Sequence, residues 1–186
     1  MAPKEIPEPW CSFLKELDAT LTDELCFHCI GGFVVTLLYG LPRTTSDIDV
    51  LAVMARDERF RKLLELGGEA SELHAKHGVA LHCVTIATVP DSYEERLIEM
   101  FPGKLKHLRL FALDPYDLAL SKLERNIQRD RDDIKHLARI VPLDLSILQR
   151  RYQTELRAYL ARPERGDLTL RLWIEAIEED RDASQS

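Results

Sequence analysis

Two aspartates one residue apart are the residues of this sequence best suited to do chemistry. Asp47 and Asp49 open an apolar segment, residues 47–54, that is typical of a β-strand. Because residues i and i+2 of a strand point to the same side, the two carboxylates aim at one spot. Close carboxylates repel each other, and their oxygens are the hard ligands that Mg²⁺ or Mn²⁺ prefers. The pair therefore predicts a divalent-metal site.

A glycine pair precedes the aspartates. Gly31 and Gly32 follow an apolar segment, residues 25–30, and open a short apolar helix, residues 32–39. Backbone N–H groups at a helix N-terminus have no partner within the helix and can bind phosphate. A tight strand-to-helix turn would also explain the pair. With the aspartates beside it, we favour phosphate binding, because a phosphate cradle next to a metal is what nucleotidyl transfer requires.

A polar turn joins the glycine helix to the aspartate strand. It contains Arg43, which follows Pro42, and Thr45. Arg43 is either a surface residue or a clamp for phosphate, since a guanidinium binds phosphate through two hydrogen bonds. Both residues are candidates for nucleotide binding.

The first part of the chain alternates between predicted strands and helices, which indicates an α/β (α+β) domain over residues 1–113. The predicted strands are 25–30, 47–54, 79–87 and 107–112, and the predicted helices are 8–23, 32–39, 57–66, 69–77 and 93–100.

The pattern changes at Asp114. Asp114 and Pro115 are typical of an N-cap and a first helical position. Helical periodicity then continues, and we predict a helical C-terminal region over residues 114–180, followed by a disordered tail, residues 181–186. The helices after the first one are expected at 130–140, 145–160 and 167–179.

Charge and composition exclude some classes of function. The net charge of −7 argues against a general nucleic-acid binder, although a local basic groove would be compatible with it. No apolar run approaches the roughly 20 residues that span a bilayer, and the first residues lack a signal-peptide core. We therefore expect a cytoplasmic protein without membrane contact. Cys26 and Cys29 have CxxC spacing but fall in a predicted strand, where they would face opposite sides, so we expect free thiols.

Two sequence blocks resemble known families. The glycine pair with the following Arg43-x-Thr45-x-Asp47-x-Asp49 resembles the first signature of the nucleotidyltransferase superfamily, which has a DNA polymerase β-like fold. Residues 117–123, followed by Arg129-Asp130-x-x-Asp133, are similar to the conserved block of the DUF6036 family. That family groups with the AbiEii-type toxin nucleotidyltransferases. The resemblance spans residues 25–178 and implies a mixed sheet with flanking helices, followed by a helical region.

The resemblance also implies roles for individual residues. Asp47 and Asp49 would bind the metal, and the glycine pair would contact the triphosphate of an NTP. Lys122 would approach a phosphate from the helical region. Asp130 and Asp133 would orient Lys122 or touch the substrate. The alternative for Lys122 is a lysine at the edge of the core, with its charge in water and little buried area to lose on truncation.

The sequence departs from the superfamily pattern at one position. Enzymes of this kind usually carry a third carboxylate on the next strand, where it acts as a general base. Here that position falls near His82, and residues 79–86 contain neither Asp nor Glu. A histidine can accept a proton at neutral pH, so His82 is a catalytic candidate. The alternatives are a histidine satisfied within the fold and an activity that is weak, altered or lost.

These observations predict a Mg²⁺- or Mn²⁺-dependent nucleotidyltransferase. It would move a nucleoside monophosphate from an NTP to an acceptor hydroxyl of RNA, a protein or a small molecule, and a toxin–antitoxin system is one setting for it. The alternative is a weak or inactive nucleotidyltransferase-like binding protein, for example an antitoxin or a regulatory partner.

Overall fold

The chain forms two units, each described here by itself. The computed structural model describes residues 5–54, 56–85 and 87–183. The sheet unit consists of Met1–Ile86 and Leu97–Leu113, and the helical unit consists of Ala87–Arg96 and Asp114–Ser186.

The described residues include five strands and eight α-helices. The strands are β1 (Leu25–Ile30), β2 (Asp47–Leu51), β3 (Ala80–Val84), β4 (Ile98–Met100) and β5 (Leu108–Ala112). The helices are α1 (Trp10–Asp18), α2 (Gly31–Tyr39), α3 (Glu58–Gly67), α4 (Glu72–His77), α5 (Pro115–Leu120), α6 (Gln128–Ile140), α7 (Leu145–Arg151) and α8 (Pro163–Ala183).

The five strands form one mixed sheet in the order β3-β2-β1-β5-β4. β1 is parallel to β5 and antiparallel to β2, while β2 is parallel to β3. Side chains alternate across β2, with the fully buried Ile48 and Val50 on one face and the half-buried Asp47 and Asp49 on the other. This alternation fixes which face carries the carboxylates. The predicted mixed α/β fold is therefore confirmed.

Local signals set several helix boundaries as expected. Gly40 ends α2 in the left-handed conformation, with φ +65°, and its N–H donates to Thr36 O. Asp114 begins α5 by accepting a hydrogen bond from Asp117 N, and Pro115 occupies the first turn.

The prediction of a helix over residues 93–100 is wrong. Tyr93–Arg96 forms a single 3₁₀ turn, and Ile98–Met100 is an edge strand antiparallel to β5. A three-residue strand is too short to show a period in the sequence, so its pairing with β5 decides its structure.

Other predicted boundaries also move. α1 begins two residues later and ends five residues earlier than predicted. β2 ends at Leu51 and β3 at Val84, each earlier than predicted. The predicted helix 145–160 is α-helical only to Arg151 and continues as a π-helical turn and a 3₁₀ turn. α8 extends to Ala183, so residues 181–183 of the predicted disordered tail are helical, and residues 184–186 lie outside the described part.

The carboxylate of Asp18 joins α1 to the start of β5. Its Oδ1 accepts hydrogen bonds from His107 N at 2.7 Å and Leu108 N at 2.6 Å, and its Oδ2 accepts one from Lys106 N at 2.8 Å. Burial raises the pKa of a carboxyl, but the three backbone donors outweigh it and lower the pKa of Asp18.

Asp18→Ala should lower the free energy of unfolding by about 1–3 kcal/mol at neutral pH, because three backbone N–H groups lose a charged acceptor. A pKa lowered by folding contributes stability that is present above the unfolded pKa and is lost as the pH falls through the folded pKa. The difference between wild type and variant should therefore shrink when urea titrations are run below about pH 4. A difference that stays constant with pH would contradict an ionised Asp18.

The cysteines behave as expected from the strand assignment. Cys29 lies on the buried face of β1 and Cys26 on the opposite, half-buried face. Both are free thiols, as are Cys11 and Cys83. Burial raises the pKa of the Cys29 thiol, which keeps it protonated and unreactive.

Among the described residues, no helix combines the length and the apolar composition that crossing a bilayer would require.

Candidate active site

Asp47 and Asp49 lie at the start of β2 on the same, partly open face of the sheet. Ile48 and Val50 anchor the strand on the buried face. The side chain of Asp49 is 26% exposed, so it is held by its surroundings and still reaches solvent. The side chain of Asp47 is half-buried, and one of its oxygens accepts a hydrogen bond from Ser46 Oγ at 3.3 Å. The shared face predicted from the spacing is what the structure has.

His82 is the nearest chemical neighbour of Asp49. The parallel register of β2 and β3 pairs the two residues, and His82 Nδ1 lies 3.0 Å from Asp49 Oδ1. When Nδ1 donates its proton to this carboxylate, the other ring nitrogen, Nε2, is left as a proton acceptor. The imidazole side chain is 60% exposed, so a substrate can reach it.

Gly31 brings the beginning of α2 against Asp49. β1 and β2 pair Ile30 with Asp49, and the next residue, Gly31, has φ +73°. A Cβ atom at position 31 would lie 2.3 Å from Asp49 Oδ2. Position 31 thus needs glycine for its backbone conformation and for the close approach of the carboxylate. This steric role is compatible with the phosphate role that the sequence suggested.

Gly31→Ala should destabilise the protein more than Gly78→Ala. Both glycines have positive φ, so both substitutions should cost about 1–2 kcal/mol for the left-handed conformation. A Cβ at position 78 meets nothing within 4 Å, whereas one at position 31 collides with Asp49. Thermal denaturation of the two variants measures the difference, and equal losses would mean that Asp49 moves aside without strain.

The other predicted nucleotide contacts surround the same segment. Gly32 is half-buried in the first turn of α2, for which no side-chain cap is seen among the described residues. Arg43 is half-buried, and its carbonyl oxygen accepts a hydrogen bond from Thr36 Oγ1 at 3.4 Å. Thr45 Oγ1 donates to Asp47 O at 3.4 Å, which ties the turn to the start of β2. Whether Gly32, Arg43 or Thr45 contacts a nucleotide stays a prediction.

The carboxylates of Asp47 and Asp49 fit a hard divalent cation that takes its other ligands from water and substrate. In the described residues, no group of three or more His, Cys, Asp or Glu side chains is placed to hold a metal. Two carboxylates alone suit Mg²⁺, which commonly binds one or two protein carboxylates and takes water and substrate phosphates as its other ligands. Asp47 and Asp49 match that pattern.

Lys122 lies in the helical unit and is buried. Its Nζ is 2.7 Å from Asp133 Oδ2 and 3.7 Å from Asp130 Oδ1, and its side chain is 4% exposed. The expectation that truncating Lys122 removes little buried area is therefore wrong, because the ammonium is enclosed with two carboxylates. The proposed contact between Lys122 and a phosphate stays a prediction.

Asp130 is the centre of this buried cluster. It accepts two hydrogen bonds from Arg125, at 2.9 and 2.6 Å, and one from Ile127 N at 3.2 Å. Burial would raise the pKa of Asp130, but the Arg125 hydrogen bonds and the charge of Lys122 outweigh it and lower the pKa. The carboxylates at positions 130 and 133 thus hold the buried Lys122 by ion pairs, and their role in orienting it toward a substrate stays a prediction.

A second buried ion-pair network in the helical unit was not predicted as such. Asp117 is fully buried between Arg96, 2.9 Å away, and Arg151, also 2.9 Å away. Arg151 continues to Asp114 at 2.8 Å, and Arg96 continues to Glu155 at 2.7 Å. Nothing in the sequence signals Arg96, which is 21 residues from Asp117 along the chain.

Comparison with known proteins gives one family. No curated protein and no solved structure matches the chain. A family model described as a nucleotidyltransferase of unknown function, DUF6036, matches residues 12–181. The match includes the glycine turn, the aspartate strand and the buried lysine cluster. The chain therefore belongs to the DUF6036 family of nucleotidyltransferases.

Proposed function

We propose that this protein is a metal-dependent nucleotidyltransferase that moves a nucleoside monophosphate from an NTP to an acceptor hydroxyl. One observation carries the proposal. Asp49 lies against Gly31 at the start of α2 and 3.0 Å from His82, on the same face as Asp47. A candidate phosphate turn and a candidate base thereby both contact one candidate metal ligand, Asp49.

Each group at this site has a distinct task. The free N–H groups in the first turn of α2 bind the triphosphate, since they point out of the helix N-terminus. Asp47 and Asp49 would hold Mg²⁺ or Mn²⁺, which would supply charge neutralisation and orientation for the phosphates. The acceptor oxygen then forms a bond to the α-phosphorus, the bond to the bridging α–β oxygen breaks, and pyrophosphate leaves with that oxygen.

His82 takes the proton of the acceptor hydroxyl. Its Nδ1 is engaged by Asp49, so Nε2 is the nitrogen that accepts, as in other carboxylate–histidine pairs. This assignment lets a histidine replace the third carboxylate that the superfamily pattern would place on this strand.

His82→Gln should lower the rate of transfer by about 10²–10⁴-fold, which is the usual contribution of a general base. The measurement offers each of the four α-labelled NTPs with Mg²⁺ or Mn²⁺, first with tRNA and then with cell extract. His77→Gln is the matched control, because His77 also bonds a carboxylate, Glu16, at 2.8 Å in the same unit. Equal rates for the His82 and His77 variants would contradict the role of His82.

A binding protein without turnover is the second candidate function. It is favoured by the lack of a third acidic side chain in the metal-ligating group among the described residues, and by the high exposure of His82. It predicts that NTP raises the melting temperature while no label is transferred to any acceptor.

The acceptor and the setting are further parts of the proposal. RNA, a protein or a small molecule would supply the hydroxyl, and a cognate antitoxin or toxin would be a partner. A small neighbouring gene for a transcription-factor-like protein would support the toxin–antitoxin setting, and loss of host growth on expression of the chain alone would identify it as the toxin.

A further inference from the structure

A surface groove between α6 and α8 lies within the helical unit. It encloses a cavity of about 240 Å³. Its deeper lining is apolar and consists of the buried residues Ile134, Trp173 and Ile177. On the α8 side it is bordered by Leu172, which is 50% exposed, and Ala176. A large aliphatic side chain half in water beside an apolar cavity marks a surface that gains from being covered.

The deep lining of the groove is fixed in place. Trp173 Nε1 donates to Asn126 Oδ1 at 3.1 Å, so the only polar atom of the indole is satisfied inside the protein. Asn126 adopts the left-handed conformation, with φ +45°, and its amide donates to Thr169 Oγ1 at 3.4 Å. The indole therefore presents only apolar surface to the cavity, and it is too buried to stack on a nucleobase, being 5% exposed.

The α6 side of the groove is basic. Arg131 and Lys135 lie four residues apart on α6, so they occupy the same side of the helix, and both are exposed. Neither forms an ion pair or a side-chain hydrogen bond within the described part of the chain, although Arg139 and, more weakly, the charge of Lys135 lower the pKa of Asp180. By contrast, Arg125 and Arg139 at the two ends of the same region are each bonded to an aspartate. The chain has a net charge of −7, so two positively charged side chains at the edge of an apolar groove differ from its overall acidic character.

We propose that this groove binds an acidic amphipathic helix from a partner protein. Apolar side chains at positions i and i+3 or i+4 of such a helix would enter the cavity beside Leu172, as in other helix-in-groove complexes. Its Asp and Glu residues would face Arg131 and Lys135. Charge complementarity of this kind selects the partner and its orientation.

A peptide display library tests the proposal on the full-length protein. Random peptides are selected on the wild type and counter-selected on Leu172→Gln/Ala176→Gln, which makes the apolar border of the groove polar without adding charge. The surviving sequences should be acidic and should carry apolar residues three or four positions apart. As synthetic peptides they should bind at least about tenfold more weakly to Arg131→Glu/Lys135→Glu. In a Trp10→Phe background, binding should also change the fluorescence of Trp173, the tryptophan that then remains.

Arg61→Glu/Lys62→Glu is the matched control, since it makes the same change in net charge at exposed positions of α3 in the sheet unit. It should leave peptide binding unchanged, and thermal melts should show that all variants fold. The proposal is overturned if no peptide survives counter-selection, if the survivors are not acidic, or if both charge reversals weaken binding equally. A dimer that Leu172→Gln/Ala176→Gln dissociates would instead identify a second copy as the occupant. None of these outcomes depends on nucleotidyl transfer.

Discussion

Asp47→Asn/Asp49→Asn is expected to lose nucleotidyl transfer by at least about a thousandfold, because it removes both carboxylates that would hold the metal against the phosphates. The same variant also tests metal binding by a measurement that does not depend on catalytic turnover. In the wild type, two carboxylates on one face repel each other, and a bound cation relieves this repulsion. Mg²⁺ or Mn²⁺ should therefore raise the melting temperature of the wild type and leave that of the variant unchanged.

The size of this thermal effect follows from linkage. A cation at a hundred times its Kd stabilises the folded state by about 2.7 kcal/mol. Without metal, the variant should melt at the same temperature as the wild type or higher, since its carboxylate repulsion is gone. Glu178→Gln/Glu179→Gln on exposed positions of α8 is the control for net charge and should keep the metal response. A metal response that persists in the Asp47/Asp49 variant would place the metal elsewhere.

Lys122→Met is expected to lower the free energy of unfolding by about 3–5 kcal/mol, the usual effect of removing one partner of a buried ion pair. The side chain is 4% exposed, and its removal leaves Asp133 without the ammonium that lies 2.7 Å away. Methionine keeps most of the aliphatic stem, so the loss would come from the charge and not from a cavity. Urea denaturation followed by circular dichroism measures it.

Two comparisons separate this effect from others. Arg139→Met breaks an exposed ion pair with Asp180 and should change stability little, because solvent screens such pairs. Lys122→Met/Asp133→Asn should recover part of the loss, since the unpaired buried charge is then also removed. If Lys122→Met is as stable as the wild type and only nucleotide affinity falls, Lys122 is a phosphate ligand and not a structural cation.

Much of the sheet unit can be predicted from the sequence because its signals are local. The alternation at Asp47 and Asp49 and the glycine at position 40 each specify a backbone conformation by themselves. The common face of the two aspartates follows directly from strand geometry. The histidine at position 82 was identified only by its position on the next strand, and the register of β2 with β3 confirms its place beside Asp49.

What the sequence did not predict depends on distant contacts. β4 is a strand only because three residues, Ile98–Met100, pair with β5. The burial of Lys122 depends on Asp130 and Asp133 from the next helix, and a lysine beside leucines has the same local pattern whether its end reaches water or a carboxylate. The contact of Gly31 with Asp49 joins two elements whose pairing no single segment encodes.

Parallel assays with α-labelled and γ-labelled NTP, in the presence of Mg²⁺, test the central proposal most directly. Nucleotidyl transfer predicts that α-label appears on the acceptor and that γ-label is released in pyrophosphate, with both lost in Asp47→Asn/Asp49→Asn. Label from the γ-position on the acceptor would mean phosphoryl transfer instead. If no label moves with any NTP or acceptor while NTP still raises the melting temperature, the protein binds nucleotide without transferring it, and the proposed activity is contradicted.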